Sequence, residues 1–383
     1  MGETKDSHST STTLVAQLET PSSLPPKSSS INTDEDTTPP QTNTTTTETM
    51  QITHRTNRSL LTALLHTFIR PFGPLITKMR DQTPRGSPSL PVPKHAITRA
   101  HVHHRIVADV HIYDMTPKLP HMGALKSSSS EKTRRKRIYY FAGGGWRMPA
   151  SADHWALTSK LAASCPDTTV SIVSYPLAPS NPAPESIPVL LDLLPKLLHA
   201  CADANETAIL AGDSAGGNLA LALPLEMLRA AAAAGDANAA PPPMPAHILV
   251  ISPSTDLRRT NPEIPILERK DPLLRHEFVK ATSEVWRGEW AADDTRLSPL
   301  LVPLEILKAL KDRGVQVHGV TGGYDILTPD ALLFRDRLVE AGVGGSWLHW
   351  EKQMHVYPVA WRYGLKESRE AKDWMVEVIN NKM

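Results

Sequence analysis

A serine flanked by small residues lies near the middle of the chain. The segment Gly212–Gly217 reads G-D-S-A-G-G, with Ser214 as its third residue. An apolar run over 208–211 precedes it, and a helical pattern over 218–234 follows it. A serine on a sharp strand-to-helix turn holds its hydroxyl clear of the backbone, and the helix N-terminus favours negative charge that develops nearby. This setting predicts that Ser214 is a nucleophile.

A serine hydroxyl becomes a nucleophile when a base removes its proton and an acid orients that base. After a serine in this setting, the acid and then the base follow in chain order. Asp325 stands just beyond a strand predicted over 315–320, where a loop would present its side chain. Asp330 is the other candidate, but it is well placed to cap the helix predicted over 331–341. We therefore predict Asp325 as the acid.

Two histidines near the end of the chain compete for the role of the base. His349 lies inside a strand predicted over 346–350, where its ring would be packed or at an edge. His355 lies on the loop beyond that strand. Parallel sheets bind ligands outside the carboxyl ends of their strands, so His355 is the histidine that can reach Ser214. We predict His355 as the base.

Three consecutive glycines, 143–145, follow Ala142 directly after a strand predicted over 138–141. A negatively charged oxygen that develops during acyl transfer needs backbone N–H donors held in place beforehand, and glycines let the backbone turn such groups toward it. We expect the N–H groups of Gly143 and Gly144 to be donors, with Ala215 as the third. A phosphate-binding loop is the other interpretation, but no Gly-Lys-Ser or Gly-Lys-Thr follows the glycines.

Strand patterns alternate with helical patterns along most of the chain. This alternation predicts an α/β fold with a mostly parallel sheet and helices on both of its faces. The loops that carry the three candidate side chains would then meet at one edge of the sheet. The predicted strands cover 106–113, 138–141, 169–174, 208–211, 247–251, 315–320 and 346–350, and the main predicted helices cover 187–200, 218–234 and 331–341.

The bulk composition excludes several classes of protein. A formal net charge of +1 over 383 residues gives no global field that would attract nucleic acid. No stretch approaches the 18 or so apolar residues of a membrane span. Two cysteines make no disulfide scaffold, so a reducing, cytoplasmic location is expected. His101 and His103 have no cysteine or carboxylate cluster nearby in sequence, so we predict no metal site and no cofactor.

The N-terminal part differs in composition from the rest. Residues 1–55 are rich in Ser, Thr and Pro and cannot bury enough apolar surface to offset the entropy of ordering, so we predict that they are disordered. Residues 59–70 then carry six apolar side chains on one helical face. A lid helix packed on the body is the favoured interpretation because basic residues are few. A helix on a membrane surface is the alternative, which leaves weak surface association open.

Two further segments complete a recognisable set of motifs. Residues 175–184 read Y-P-L-A-P-S-N-P-A-P, and residues 252–257 read S-P-S-T-D-L. Together with the G-D-S-A-G-G segment, they resemble the hormone-sensitive-lipase-like family of α/β-hydrolases, which includes microbial esterases and arylacetamide deacetylases. The serine motif matches in full, whereas Pro176, Ser180 and Asn181 depart from the family's Y-R-L-A-P-E-H-x-x-P. The resemblance covers roughly residues 100–380.

The resemblance implies an α/β-hydrolase fold with a helical lid. It implies one domain over 56–383 and a lid built from about 56–95 and from an insertion over 258–290. The insertion contains enough apolar residues to line an acyl pocket, and packing within the lid would explain the same residues.

The family resemblance also implies a function. A member of this kind would hydrolyse a carboxylic ester or lactone of a small apolar or secondary-metabolite-like molecule through an acyl-enzyme. Ala142 replaces the histidine of the family's H-G-G-G motif, which implies a looser oxyanion hole. A dehydratase, cyclase or acyltransferase that reuses the same site is the alternative. A receptor-like binding protein is less favoured because Ser214 and His355 are both present. Oligomeric state is left open.

Overall fold

The computed structural model describes residues 50–77, 82–118, 134–235 and 240–383. Residues 1–49, where composition predicts a disordered tail, lie outside the described residues. From Met50 onward, the described residues belong to one compact unit.

A nine-stranded sheet runs through the described residues, with the strand order β1-β9-β8-β7-β6-β4-β5-β3-β2. The pairs β2–β3 and β3–β5 are antiparallel, and the other pairs are parallel. The mostly parallel sheet expected from the sequence is therefore confirmed. The strands are β1 Gln51–Arg55, β2 Ala100–Val107, β3 Val110–Pro117, β4 Arg135–Phe141, β5 Thr168–Ser174, β6 Glu206–Asp213, β7 His247–Ile251, β8 Gln316–Tyr324 and β9 Ser346–Met354.

Helices cover both faces of the sheet. Successive side chains of a strand point to opposite faces, and in β4 Tyr139 and Phe141 enter one apolar core while Ile138 and Tyr140 enter the other. A strand segment buried on both faces reads as a continuous apolar run, as residues 138–141 of β4 do, whereas the first three residues of β4 are basic. The helices are α1 Leu60–Ile69, α2 Gly73–Ile76, α3 Lys94–Arg99, α4 Ala152–Ser164, α5 Ala183–Asp203, α6 Ser214–Ala234, α7 Ile264–Glu268, α8 His276–Arg287, α9 Leu304–Asp312, α10 Thr328–Glu340 and α11 Lys366–Lys382.

The first predicted strand, over 106–113, is wrong. The structure has a hairpin there, in which β2 and β3 are joined at Ala108 and Asp109. Both turn residues have positive φ angles, 47° and 60°. A two-residue hairpin turn needs this conformation, but Asn or Gly usually provides it, so Ala-Asp gives little signal in the sequence.

Three element boundaries also differ from expectation. Residues 51–55, which composition assigns to the disordered tail, form β1 and pair in parallel with β9. Helix α10 begins at Thr328, so Asp330 lies in its first turn rather than at the N-cap. Helix α6 begins at Ser214 itself.

Candidate active site

Ser214 lies at the junction of β6 and α6 in a strained backbone conformation. Its φ angle is 51°, in the left-handed region that a non-glycine residue rarely adopts. The turn is tight because α6 begins directly against β4: a Cβ on Gly216 would lie 1.9 Å from the carbonyl oxygen of Phe141. Glycine is therefore required at 216, and the serine hydroxyl is held at the carboxyl edge of the sheet.

The three residues predicted as nucleophile, acid and base meet at this edge. His355 Nε2 lies 2.9 Å from Ser214 Oγ, and His355 Nδ1 lies 2.8 Å from Asp325 Oδ2. Asp325 follows β8 and is fully buried, and its other oxygen, Oδ1, accepts the N–H of Leu327 at 2.9 Å. If Nδ1–H donates to Asp325, the lone pair of Nε2 faces the serine hydroxyl, as general-base chemistry needs.

The two weaker candidates lie apart from this cluster. The Nδ1 atom of His349 is 3.1 Å from Thr321 Oγ1. An oxygen of Asp330 accepts a hydrogen bond from Asn261 at 2.7 Å. Neither side chain bonds to His355 or Ser214 among the described residues.

A second buried carboxylate, which the sequence analysis missed, stands beside Asp325. Asp271 Oδ2 accepts the N–H of Ile326 at 3.0 Å, and Oδ1 accepts two N–H groups, of Leu273 and Leu274, at 2.8 Å each. In the sequence, Asp271-Pro272 indicates only a turn. Burial and then the charge of Asp325 raise the pKa of Asp271 to about 7, against the effect of its backbone donors.

The electrostatic surroundings favour a proton on His355. Burial alone would lower the pKa of this imidazole, but the charge and hydrogen bond of Asp325 raise it above its ordinary value, and Asp271 and Asp213 add to the effect. An imidazole of raised pKa accepts a proton from the serine more readily.

The donor role expected of Gly143 needs correction. Its N–H is bonded to Asp213 Oδ1 at 3.0 Å and so does not point to a substrate oxygen. In the described part of the chain, no protein acceptor takes the N–H of Gly144 or Gly145. Both glycines line the cavity beside Ser214, with φ angles of 127° and 59°. The free donors of this loop are thus shifted by one residue from the expected pair.

Asp213 holds the glycine loop in place. Besides the N–H of Gly143, it accepts the hydroxyl of Tyr140 at 2.8 Å and lies 3.2 Å from His154 Nε2. The N–H of Ser151 lies 3.0 Å from His154 Nδ1, which leaves the proton on Nε2 to be donated to Asp213. Burial alone would raise the pKa of Asp213, but His154 and the other two donors hold it below its ordinary value.

Comparison with known proteins shows the family of the chain. A family model described as alpha/beta hydrolase fold matches residues 138–359. The chain belongs to the alpha/beta hydrolase fold family. The matched range contains Ser214, Asp325 and His355, and the membership confirms the family that the sequence motifs indicate.

Relatives of this alpha/beta hydrolase include proteins named as esterases. An esterase of Acinetobacter venetianus is 32% identical over 207 residues, which are 52% of this chain and 60% of the relative. A crystal structure of an esterase from the bacterial hormone-sensitive lipase family has a TM-score of 0.62 at 21% identity, with 85% of this chain and 99% of that one covered. A hormone-sensitive lipase from a metagenome library has a TM-score of 0.61 at 20% identity, with 86% and 100% covered. These solved structures share the fold.

Two cavities of this alpha/beta hydrolase share His355 and Leu273 in their walls. The first, about 300 Å³, contains Ser214 and is roofed by Leu274 and Phe278 of the 258–290 segment. The second, about 580 Å³, is lined in part by α1. Both segments expected to form the lid therefore supply residues to these walls. The α1 side chains that line the second cavity are Leu61, Leu65 and Ile69.

Proposed function

We propose that the protein is a serine esterase that hydrolyses a carboxylic ester or lactone of a small apolar molecule. One observation carries the proposal: Ser214 Oγ, the imidazole of His355 and the carboxylate of Asp325 form one hydrogen-bonded chain with distances of 2.9 and 2.8 Å. The chain opens onto a cavity that also holds the unbonded N–H groups of Gly144 and Gly145. The Acinetobacter relative, named as an esterase, supports the same reaction type.

In the proposed acylation step, Ser214 Oγ attacks the ester carbonyl carbon while its proton moves to His355 Nε2. The carbonyl oxygen becomes an oxyanion, and we propose that the N–H groups of Gly144, Gly145 and Ala215 stabilise it. The bond from carbon to the alkoxy oxygen then breaks, and the proton on Nε2 passes to the departing alcohol. Asp325 keeps the imidazole oriented and stabilises its positive charge.

Deacylation repeats the same steps with water. His355 Nε2 takes a proton from water as the hydroxide attacks the acyl carbon, and the same N–H groups hold the second oxyanion. The bond to Ser214 Oγ breaks, the serine regains its proton from the imidazole, and the carboxylic acid leaves. Both protons that are moved return to products or to Ser214, so the residues end as they began.

The walls of the two cavities support an apolar substrate. Leu274 and Phe278 contact the space beside Ser214, and Val356 and Val359 line both cavities. Cavities of a few hundred Å³ with mostly apolar walls are typical of sites for drug-sized molecules. We therefore expect esters with short to medium acyl chains to be hydrolysed faster than charged ones.

Substitution of the nucleophile tests the proposal. We expect Ser214→Ala to reduce the kcat for p-nitrophenyl butyrate by about 10⁴-fold or more, because no other group can form the acyl bond. Ser159→Ala is the matched control and should keep its activity, because the buried Ser159 hydroxyl of α4 bonds, among the described residues, to the carbonyl of Ala156. A fluorophosphonate should label the wild type on the peptide containing Ser214. Full turnover by purified Ser214→Ala would overturn the assignment.

A further inference from the structure

Helix α1 faces the body of the protein with its polar side. Its buried residues are Thr62 and His66, and Thr62 Oγ1 donates to Glu367 Oε2 of α11 at 2.6 Å. The side chains of Leu64 and Phe68 are 69% and 68% exposed. The usual amphipathic arrangement, in which the apolar side is buried, is thus reversed.

The exposed apolar side chains form one row, which we name the apolar ridge. A spacing of four residues places Leu60, Leu64 and Phe68 on one side of α1, and the rings of Phe68 and Phe72 lie 5.5 Å apart. Soluble monomers rarely expose a continuous apolar patch of this kind, and such patches mark interaction sites. The ridge consists of Leu60, Leu64, Phe68 and Phe72.

A positively charged cleft is lined in part by the same helix. Its volume is about 260 Å³, and Thr67 and Tyr324 complete its walls. Within the described ranges, none of its arginines or its lysine forms an ion pair with a carboxylate. We name it the basic cleft; its cationic residues are Arg58, Arg70, Arg269 and Lys270.

A buried histidine without a partner lines the basic cleft. His66 is only 5% exposed, and neither of its ring nitrogens has a hydrogen-bond partner among the described residues. A buried polar group without a protein partner costs stability, so such a group inside a cleft is available to bind a ligand or water. Burial and the charge of Arg58 lower the pKa of His66 to about 4, against the opposing charge of Glu367, so the ring is neutral near pH 7 and has one N–H to donate.

We propose that the apolar ridge and the basic cleft together form a docking surface for a bilayer that contains anionic phospholipid. The ridge enters the acyl-chain region, and the basic cleft binds a lipid phosphate, with His66 available as a further partner. An anionic bilayer supplies both an apolar interior and phosphate groups, whereas a second copy of this chain would bring the same cations to the contact. Apolar side chains beside basic ones are the composition of surface-bound helices.

The docking surface lies beside the route to the proposed catalytic residues. Leu61, Leu65 and Ile69, on the neighbouring side of α1, line the cavity that reaches His355. An apolar ester dissolved in the bilayer could therefore enter this cavity without crossing water. This consequence rests on the proposed esterase activity, whereas the docking itself does not.

Vesicle binding tests the docking. The Ser214→Ala protein, as the full chain, should float with phosphatidylcholine vesicles that contain phosphatidylserine, and should bind pure phosphatidylcholine vesicles about tenfold or more weakly. Because this variant lacks the proposed nucleophile, its vesicle binding does not depend on ester hydrolysis. Leu64→Ser with Phe68→Ser, and separately Arg269→Gln with Lys270→Gln, should each weaken binding about tenfold or more. Added salt should weaken the vesicle binding that depends on Arg269 and Lys270, because it screens their attraction to anionic lipid. It should have no such effect on the variant that lacks these two cations.

Matched control variants remove an exposed apolar side chain, or two exposed cations, at sites away from α1. Ile106→Ser removes a side chain that is 56% exposed on β2, and Lys308→Gln with Arg313→Gln removes two exposed cations of α9 and its C-cap. Both controls should bind vesicles like the parent. When the ridge and cleft substitutions are made in the wild-type protein instead, the melting temperature and the turnover of p-nitrophenyl acetate should stay at their wild-type values. The substituted side chains lie outside the proposed catalytic site.

Three outcomes would overturn the proposal. The first is that the ridge variant binds vesicles as tightly as the Ser214→Ala parent, and that both proteins bind the two kinds of vesicle equally well. The second is binding of inorganic phosphate, seen as a shift of the His66 ring signals, without any vesicle binding, which would indicate a site for free phosphate. The third is the absence of vesicle binding together with a dimer that the ridge variant loses, which would assign the ridge to a second copy of the chain.

Discussion

At the scale of single residues, the proposed acid Asp325 does not stand alone. Asp271 comes from the segment between α7 and α8, yet its carboxylate accepts the N–H of Ile326, the residue that follows Asp325. One buried side chain thus ties the lid segment to the loop that carries the proposed acid. Its negative charge also raises the pKa of His355.

The pH profile of hydrolysis should report this charge. Protonated His355 cannot accept the proton of Ser214, so kcat/KM should rise as pH increases through the pKa of His355, at a pH above the ordinary histidine value. Asp271→Asn removes a carboxyl group whose own pKa is raised to about 7 and which is therefore only partly charged over the acidic limb, so the limb should move to lower pH by less than about one unit. Initial rates of p-nitrophenyl butyrate hydrolysis between pH 5 and about pH 9 measure this shift.

The control for that shift is Asp192→Asn. Asp192 is an exposed residue of α5 that pairs only with Lys196. Its removal changes the net charge equally but should leave the acidic limb in place, because exposed charges are screened. An unchanged limb in Asp271→Asn, with native folding, would show that Asp271 has only a structural role.

The carboxylate of Asp213 should affect turnover more than substrate binding. It holds the N–H of Gly143, the hydroxyl of Tyr140 and the imidazole of His154, and these bonds set the direction of the next two N–H groups. We expect Asp213→Asn to reduce kcat by about 10²-fold with a small change in KM, because misplaced donors weaken the transition state. Tyr140→Phe removes one of the three bonds and should reduce kcat far less. Equal kcat values for all three proteins would contradict this positioning role.

At the scale of secondary-structure elements, the contact between β4 and the start of α6 sets the position of the nucleophile. A Cβ at 216 would overlap the carbonyl of Phe141, whereas a Cβ at 217 would lie 3.2 Å from the carbonyl oxygen of Gly212. Gly216→Ala should therefore force the helix away from the sheet and destabilise the fold by about 3 kcal/mol or more. Gly217→Ala should fold with a smaller loss. Thermal unfolding of the two variants makes the comparison, and equal melting temperatures would contradict it.

The elements that bear the proposed catalytic residues are those that the sequence predicts best. Apolar runs mark β6, β8 and β9, and the residue types beyond their carboxyl ends indicate which side chains meet. The donors of the glycine loop could not be assigned in the same way. The direction of each N–H depends on φ, and in a run of three glycines nothing in the sequence shows that Gly143 would be bonded to Asp213.

Edge strands were predicted least well. The turn at Ala108 and Asp109 lacks the residues that usually mark a hairpin, so the sequence predicts one strand over 106–113 where the structure has β2 and β3. The strand β1 has four exposed residues among its five, so its sequence resembles the tail before it. Its position comes from pairing with β9, a contact of high sequence separation that local patterns do not record.

At the scale of the whole molecule, the segment before β2 crosses from one edge of the sheet to the other. It begins with β1 beside β9 and passes through α1, which is held by Glu367 of α11. Farther along, Ser87 Oγ donates to the carbonyl of Ser174 in β5, and the segment then joins β2 at the opposite edge of the sheet. No helix among the described residues is long and apolar enough to span a membrane.

Two truncations should separate the tail from this crossing segment. A chain that begins at Met50 loses only residues whose composition predicts disorder, so its melting temperature should stay within a few degrees of the full chain. A chain that begins at Ser59 also loses β1, the ion pair of Arg55 with Glu370 and the carbonyl of Asn57 that accepts the Trp350 indole N–H. It exposes the edge of β9 and leaves a polar group unpaired, so it should melt at least about 5 °C lower.

Scanning calorimetry of the three chains measures both effects. If the chain from Met50 melts as low as the chain from Ser59, residues 1–49 stabilise the folded body and the predicted disorder is wrong. If the chain from Ser59 melts like the full chain, β1 contributes nothing to stability, and contacts made from Ser59 onward, such as that of Thr62 with Glu367, hold the N-terminal segment. A loss confined to the second truncation would place the start of the cooperative fold between Met50 and Ser59, the segment that contributes β1 and the contacts of Arg55 and Asn57.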